Sequence, residues 1–131
     1  MRESVLYYAP ENAANVGLIK GVLVQMEIKI KNLTQGRCEK KIGFLAGMDG
    51  FMDEGPALEG RQQASHAALR EELLVFCGFT EERLDELLDK LRKAGVPRRI
   101  LKAVLTETNA HWTVYELCDH LAEERRKFEQ R

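Results

Sequence analysis

The sequence predicts an α+β fold in which one sheet is covered by helices. Three observations carry that reading: a strand–helix–strand–helix pattern that occurs twice, two strands without a polar residue, and a glycine- and acid-rich stretch between the two occurrences. The first pattern runs through "VLYYAPENAANVGLIKGVLVQME" and the second through "LLVFCGFTEERLDELLDKLRKAG". A constant shift of 68 lays Asn12 on Thr80, Val16 on Leu84, Ile19 on Leu87 and Leu23 on Leu91. Four extra residues, Val96 to Arg99, change the shift to 72, and Ile28 then falls on Ile100, Leu33 on Leu105 and Thr34 on Thr106. Caps and apolar positions coincide together, so an internal repeat is expected. The duplicated plan suits a ferredoxin-like sandwich with an extra helix after each half; the alternative is a doubly wound, all-parallel α/β sheet.

The individual elements follow from local chemistry. "VLYY" (Val5–Tyr8) and "LLVF" (Leu73–Phe76) are continuously apolar, as central strands buried on both sides should be. "IKIKNL" (Ile28–Leu33) and "ILKAVL" (Ile100–Leu105) carry lysines, which suits edge strands that must resist pairing with other chains. Each first helix follows a polar cap, Asn12 or Thr80, whose side chain accepts from an orphan backbone N–H. Glu81 and Glu82 sit at the positive end of the second of these helices, and Leu84, Leu87, Leu88 and Leu91 mark one apolar face at helical spacing. Gly95 and Pro97 end it.

The chain has 131 residues, 44% hydrophobic and 31% charged, which is enough for one domain with its own core and argues against bulk disorder. One domain spanning 1–131 is expected, with halves 1–48 and 72–131 joined by a flexible connection over 49–71. Within that connection "RQQASHAALREE" has the alanine content of a short helix. A formal net charge of −1 with no basic stripe points away from nucleic acid. The longest apolar run, "VGLIKGVLVQM" (Val16–Met26), is too short to span a bilayer and contains Lys20, so no membrane partner is expected. Cys38, Cys77 and Cys118 are odd in number, far apart and free of any C-x-x-C, which fits free thiols in the cytoplasm.

The densest local signal is "TETNAHWTVYEL" (Thr106–Leu117). Thr113 and Glu116 have capping-box spacing, and Trp112 with Leu117 has the spacing of a hydrophobic staple; Phe79 and Leu84 repeat the staple at the other helix. The tryptophan is then a packing anchor or, if exposed, part of a ligand site. Asn109 either closes an Asx turn or, with Thr106, lines a small polar pocket at the carboxyl end of the last strand.

"LKAVLTETNAHWTVYELCDHLAEE", preceded by "LLVFCGFTEERLDELLDKLRKAGV", resembles a bacterial domain-of-unknown-function family, domain of unknown function 3783, from Leu73 to about Glu124. The resemblance implies the strand–helix–strand–helix ending. It brings no activity, cofactor or catalytic residue with it.

Candidate chemistry is sparse. Cys77, between a strand and a helix start, is either an activated thiol or a buried small hydrophobe. Lys102 is either a Schiff-base or anion-binding lysine or an edge-strand gatekeeper. His66, His111 and His120 lack metal-ligand spacing, and the glycines of "GFLAGMDG" match no phosphate loop, so neither metal nor cofactor is expected. Three function classes remain. The first is a non-enzymatic module binding a partner protein or a small molecule, with a homodimer left open. The second is a small enzyme using Cys77 with Lys102, Thr106 and Asn109, in which Trp112 would also line the ligand site. The third is single-stranded RNA binding through Tyr7 and Tyr8, disfavoured by the neutral charge. The first is the reading adopted from sequence.

Overall fold

The structure is a computed structural model that describes residues 2–11, 13–34, 38, 40–52 and 71–129. Its elements, in order, are β1 (Ser4–Tyr8), α1 (Val16–Gln25), β2 (Lys29–Leu33), α2 (Ile42–Ala46), β3 (Leu73–Cys77), α3 (Glu81–Lys93), β4 (Leu101–Val104), a 3₁₀ turn (Asn109–His111) and α4 (Val114–Glu129). Residues 53–70 and Asn12 lie outside the described residues. Most of the flexible connection and of its short helix, and His66, fall there, and the cap residue of α1 is Asn15 rather than the expected Asn12.

The four strands form one mixed sheet in the order β2-β1-β3-β4. β1 pairs with β2 in parallel, β3 with β4 in parallel, and β1 with β3 antiparallel, Leu6 opposite Val75 at the centre. The apolar strands are central and the lysine-bearing strands are at the edges, as their composition requires. The antiparallel pairing excludes the all-parallel alternative. The sheet also departs from the ferredoxin-like expectation: the two strands of each β–α–β unit are direct neighbours, whereas a split unit has a strand of the other unit between them.

The physical reason lies in β1 and β3. Val5, Tyr7, Leu74 and Phe76 face α1 and α3, while Leu6, Leu73, Val75 and Cys77 face α2 and α4, and all of them are buried. Neither face of these strands can be left in water, since each fully buried side chain of this size is worth about 1.5–3 kcal/mol. The helix after each unit covers the second face, giving helices on both sides of the sheet. Tyr7 lies beneath α1 and α3, and Tyr8 packs half-buried on the other side, so neither offers the open stacking face that RNA binding on the sheet needs.

Two glutamates immediately before the central strands tie each unit to the other. Glu3, before β1, takes a bidentate pair from Arg83 in the first turn of α3, 2.9 Å to each oxygen. Glu72, before β3, is buried and accepts from Tyr7 Oη at 2.6 Å and from Asn15 Nδ2 at 2.8 Å. Asn15 is the cap residue of α1, but its side chain serves Glu72 rather than the helix. Burial and this carboxylate push the Tyr7 hydroxyl well above its ordinary pKa.

Candidate functional site

The β4–α4 elbow folds by side chains bonding to nearby backbone. After β4, Asn109 accepts from Thr106 N at 2.8 Å through Oδ1 and donates from Nδ2 to Val104 O at 2.9 Å. Its own N–H donates to Thr106 Oγ1 at 3.0 Å. Asn109 is buried, and both ends of its amide are used. The arrangement is a closed turn, with Thr106 exposed on its outside. Four residues on, Glu116 N donates to Thr113 Oγ1 and Thr113 N donates to Glu116 Oε1, each at 3.1 Å. That is the reciprocal capping box expected from the spacing. Thr113 also bridges Lys41, and Ile42 N donates to Trp112 O at 2.8 Å, so the starts of α2 and α4 are bound together.

Trp112 is half-buried at the margin of the core cluster that contains Leu117. Its ring is stacked on His120, centroids 3.9 Å apart and planes within 9°. The staple thus has a second partner one turn beyond the expected one, which sequence spacing did not suggest. Beside the stack, Glu116, Asp119, His120 and Glu123 line a shallow groove on the outer side of α4. Glu116 is held in the capping box and Glu123 pairs with Arg126.

The proposed catalytic set is not gathered in one place. Cys77 is fully buried in the core facing α2 and α4, and burial pushes its thiol up to about 11. Lys102 pairs in register with Leu74, which faces α1 and α3, so Lys102 and Cys77 are on opposite sides of the sheet. Burial first, then the charges of Arg125 and Arg98, lowers the Lys102 pKa. Cys118 is buried with its thiol pushed up to about 12, again by burial. Among the described residues no three His, Cys, Asp or Glu side chains are placed to hold a metal ion, and no buried side-chain polar atom lacks a hydrogen-bond partner.

Sequence reasoning passed over the outer side of α1. Leu18 is 43% exposed and Val24 67% exposed, in a ten-residue helix whose one charged residue is Lys20. Gly17 and Gly21 are exposed beside them, and a Cβ built at either would meet nothing within 4 Å. Part of the signal was present in the apolar run Val16–Met26: position 24 cannot share the stripe of Ile19, Val22 and Leu23 that faces the sheet, whereas Leu18, one turn before Val22, adjoins that stripe. No helix among the described residues is long and apolar enough to cross a membrane.

The second unit matches a family model. The match, to a domain of unknown function (DUF3783), covers residues 72–128, from the buried glutamate before β3 into α4. The resemblance noted from sequence lies within those bounds, and the first unit lies outside them. No curated protein and no solved structure matches the chain.

Proposed function

We propose that the chain is a non-enzymatic binding module that acts through protein contact, with the outer face of α1 as its contact surface. The observation that carries this is the exposure of Leu18 and Val24 on a helix that otherwise resembles core. Large apolar side chains grouped at a surface mark an interaction site more often than single ones do. Weighing the other way for the enzyme alternative, Cys77 is buried with a raised pKa, Lys102 faces the other side of the sheet, and Thr106 with Asn109 is occupied in closing a turn. A small-molecule site at the elbow loses its polar lining for the same reason. Three buried cysteines, none in a disulfide, suit a reducing compartment, and we take the cytoplasm as the setting. The two cross-ties, Glu3 to Arg83 and Glu72 to Asn15, support an internal repeat, with Asn15 falling on Arg83 at a shift of 68 and Glu3 on Glu72 at a shift of 69.

Backbone amide spectra of labelled protein, in buffer and in concentrated cell extract, test the reading. Signals from the outer side of α1 should broaden as protein concentration rises or in extract, and Val24→Arg should restore them. Broadening confined to the β4–α4 elbow, or fast thiol labelling of native Cys77, would refute it. Leu18→Glu and Val24→Arg should each leave stability within about 0.5 kcal/mol, as exposed positions do.

A further inference from the structure

We infer that the partner of α1 is a second copy of this chain, packed antiparallel across a two-fold axis at Gly21. The inference rests on the α1 contact surface proposed above and names its occupant. Glycine inside a helix costs about 0.5–1 kcal/mol relative to alanine, so two of them in ten residues call for a reason. Neither Gly17 nor Gly21 has a positive φ, and neither is crowded by its own chain. The monomer therefore has no use for them. Close approach of a helix from outside does, because only glycine lets two backbones come near enough to pack without intervening side chains.

The pattern is self-complementary. Leu18 and Val24 stand three residues before and three after Gly21. An antiparallel copy crossing there sets Leu18 of one chain beside Val24 of the other, twice. Helix α3 packs beside α1 on the same side of the sheet and fixes the orientation. Its first half carries Glu81, Glu82, Asp85 and Glu86 against Arg83, and its second half carries Lys90, Arg92 and Lys93 against Asp89, which pairs with Arg92 and Lys93. The same two-fold sets acidic half against basic half, whereas a parallel two-fold would carry the two copies of α3 to opposite sides of the α1 seam and leave these charges unopposed. These charges also suit the dipole of α3 itself, so they choose the orientation rather than supply the affinity.

The two helices differ where the fold makes no demand. Under the shift of 68, Gly17, Leu18, Gly21 and Val24 align with Asp85, Glu86, Asp89 and Arg92, while the inward Ile19 and Leu23 align with Leu87 and Leu91. Two of the three buried positions of α1 agree, Val22 falling on Lys90, and the outward ones do not. A ten-residue helix is about 15 Å long, too short to bury the roughly 800 Å² per partner of a standard interface. Helix α3 must contribute, and the dimer should be of micromolar rather than nanomolar strength.

Sedimentation of the full chain from about 1 to about 500 µM brackets that range. The expected result is a rise from 15.0 kDa to twice that mass. Gly21→Arg should weaken association at least about thirtyfold, as loss of a central contact does, with an unchanged circular dichroism spectrum. Gly21→Cys should form an interchain disulfide under mild oxidation, since the two-fold sets position 21 opposite itself. Glu123→Cys, on α4 across the sheet, should not. A chain that stays monomeric while α1 signals still broaden in extract would overturn the second copy and leave the α1 reading standing. A dimer indifferent to Gly21→Arg and uncrosslinked by Gly21→Cys would overturn the proposed face. A monomer with no effect at α1 in extract would overturn both.

Discussion

Replacing Asn109 by alanine separates a turn from a pocket. The side chain makes two bonds to backbone, one from Thr106 N and one to Val104 O, at 2.8 and 2.9 Å. A net hydrogen bond contributes about 0.5–1.5 kcal/mol, so losing both costs about 1–3 kcal/mol. Thr106 and Val104 are exposed, and water can reach the freed groups, which removes the larger penalty of an unpaired buried group. The expected cost of Asn109→Ala is therefore about 2 kcal/mol. Thr106→Val removes one acceptor, used by Asn109 N at 3.0 Å, and should cost about 1 kcal/mol. Urea unfolding measures both, with the slope of free energy against urea unchanged if only the folded turn is affected. An Asn109→Ala protein within about 0.5 kcal/mol of its parent would refute the reasoning. It would show that the amide bonds do not hold the turn, and a free polar side chain at the elbow would again be a ligand candidate.

Thr113→Ala should cost about 1 kcal/mol by removing the cap of α4, and Glu116→Gln should cost much less, because an amide oxygen can still accept from Thr113 N; paired urea curves check both. Cys77 should react with thiol probes only on unfolding. Its folded pKa of about 11 is raised, so its stabilising contribution is whole below the ordinary thiol range and is lost as pH rises through about 11. Stability measured from pH 8 upward should fall, and Cys77→Ala should flatten that fall. Glu3 behaves oppositely: the Arg83 guanidinium holds its carboxyl below the usual carboxylate range. Its contribution is whole above that range and lost as pH falls through the lowered pKa, so Glu3→Gln should make the acid side of the stability profile shallower.

Much of the fold was legible along the chain because its causes are local. Caps, breakers and apolar runs act over a few residues, and Thr80, the Thr113–Glu116 box, Gly95 and the four strands fell where composition places them. The apolar runs Val5–Tyr8 and Leu73–Phe76 also implied that both faces of the sheet would be covered. The start of α1 was less legible, since it begins at Val16 after a cap residue whose amide is turned to Glu72, 57 positions away.

Sequence alone thus determined which residues would be strands, which strands would be central, and how α3 and α4 would start, since each depends on burial pattern or on neighbours within one turn. It left open the strand order, because an adjacent and a split β–α–β unit bury the same residues. Only the tertiary structure decided that Cys77 and Lys102 point to opposite sides of the sheet, that Asn109 spends its amide on the turn, and that Leu18 and Val24 face outward. Burial is a property of what packs above a residue, and an apolar side chain reads the same in sequence whether the chain covers it or leaves it for another.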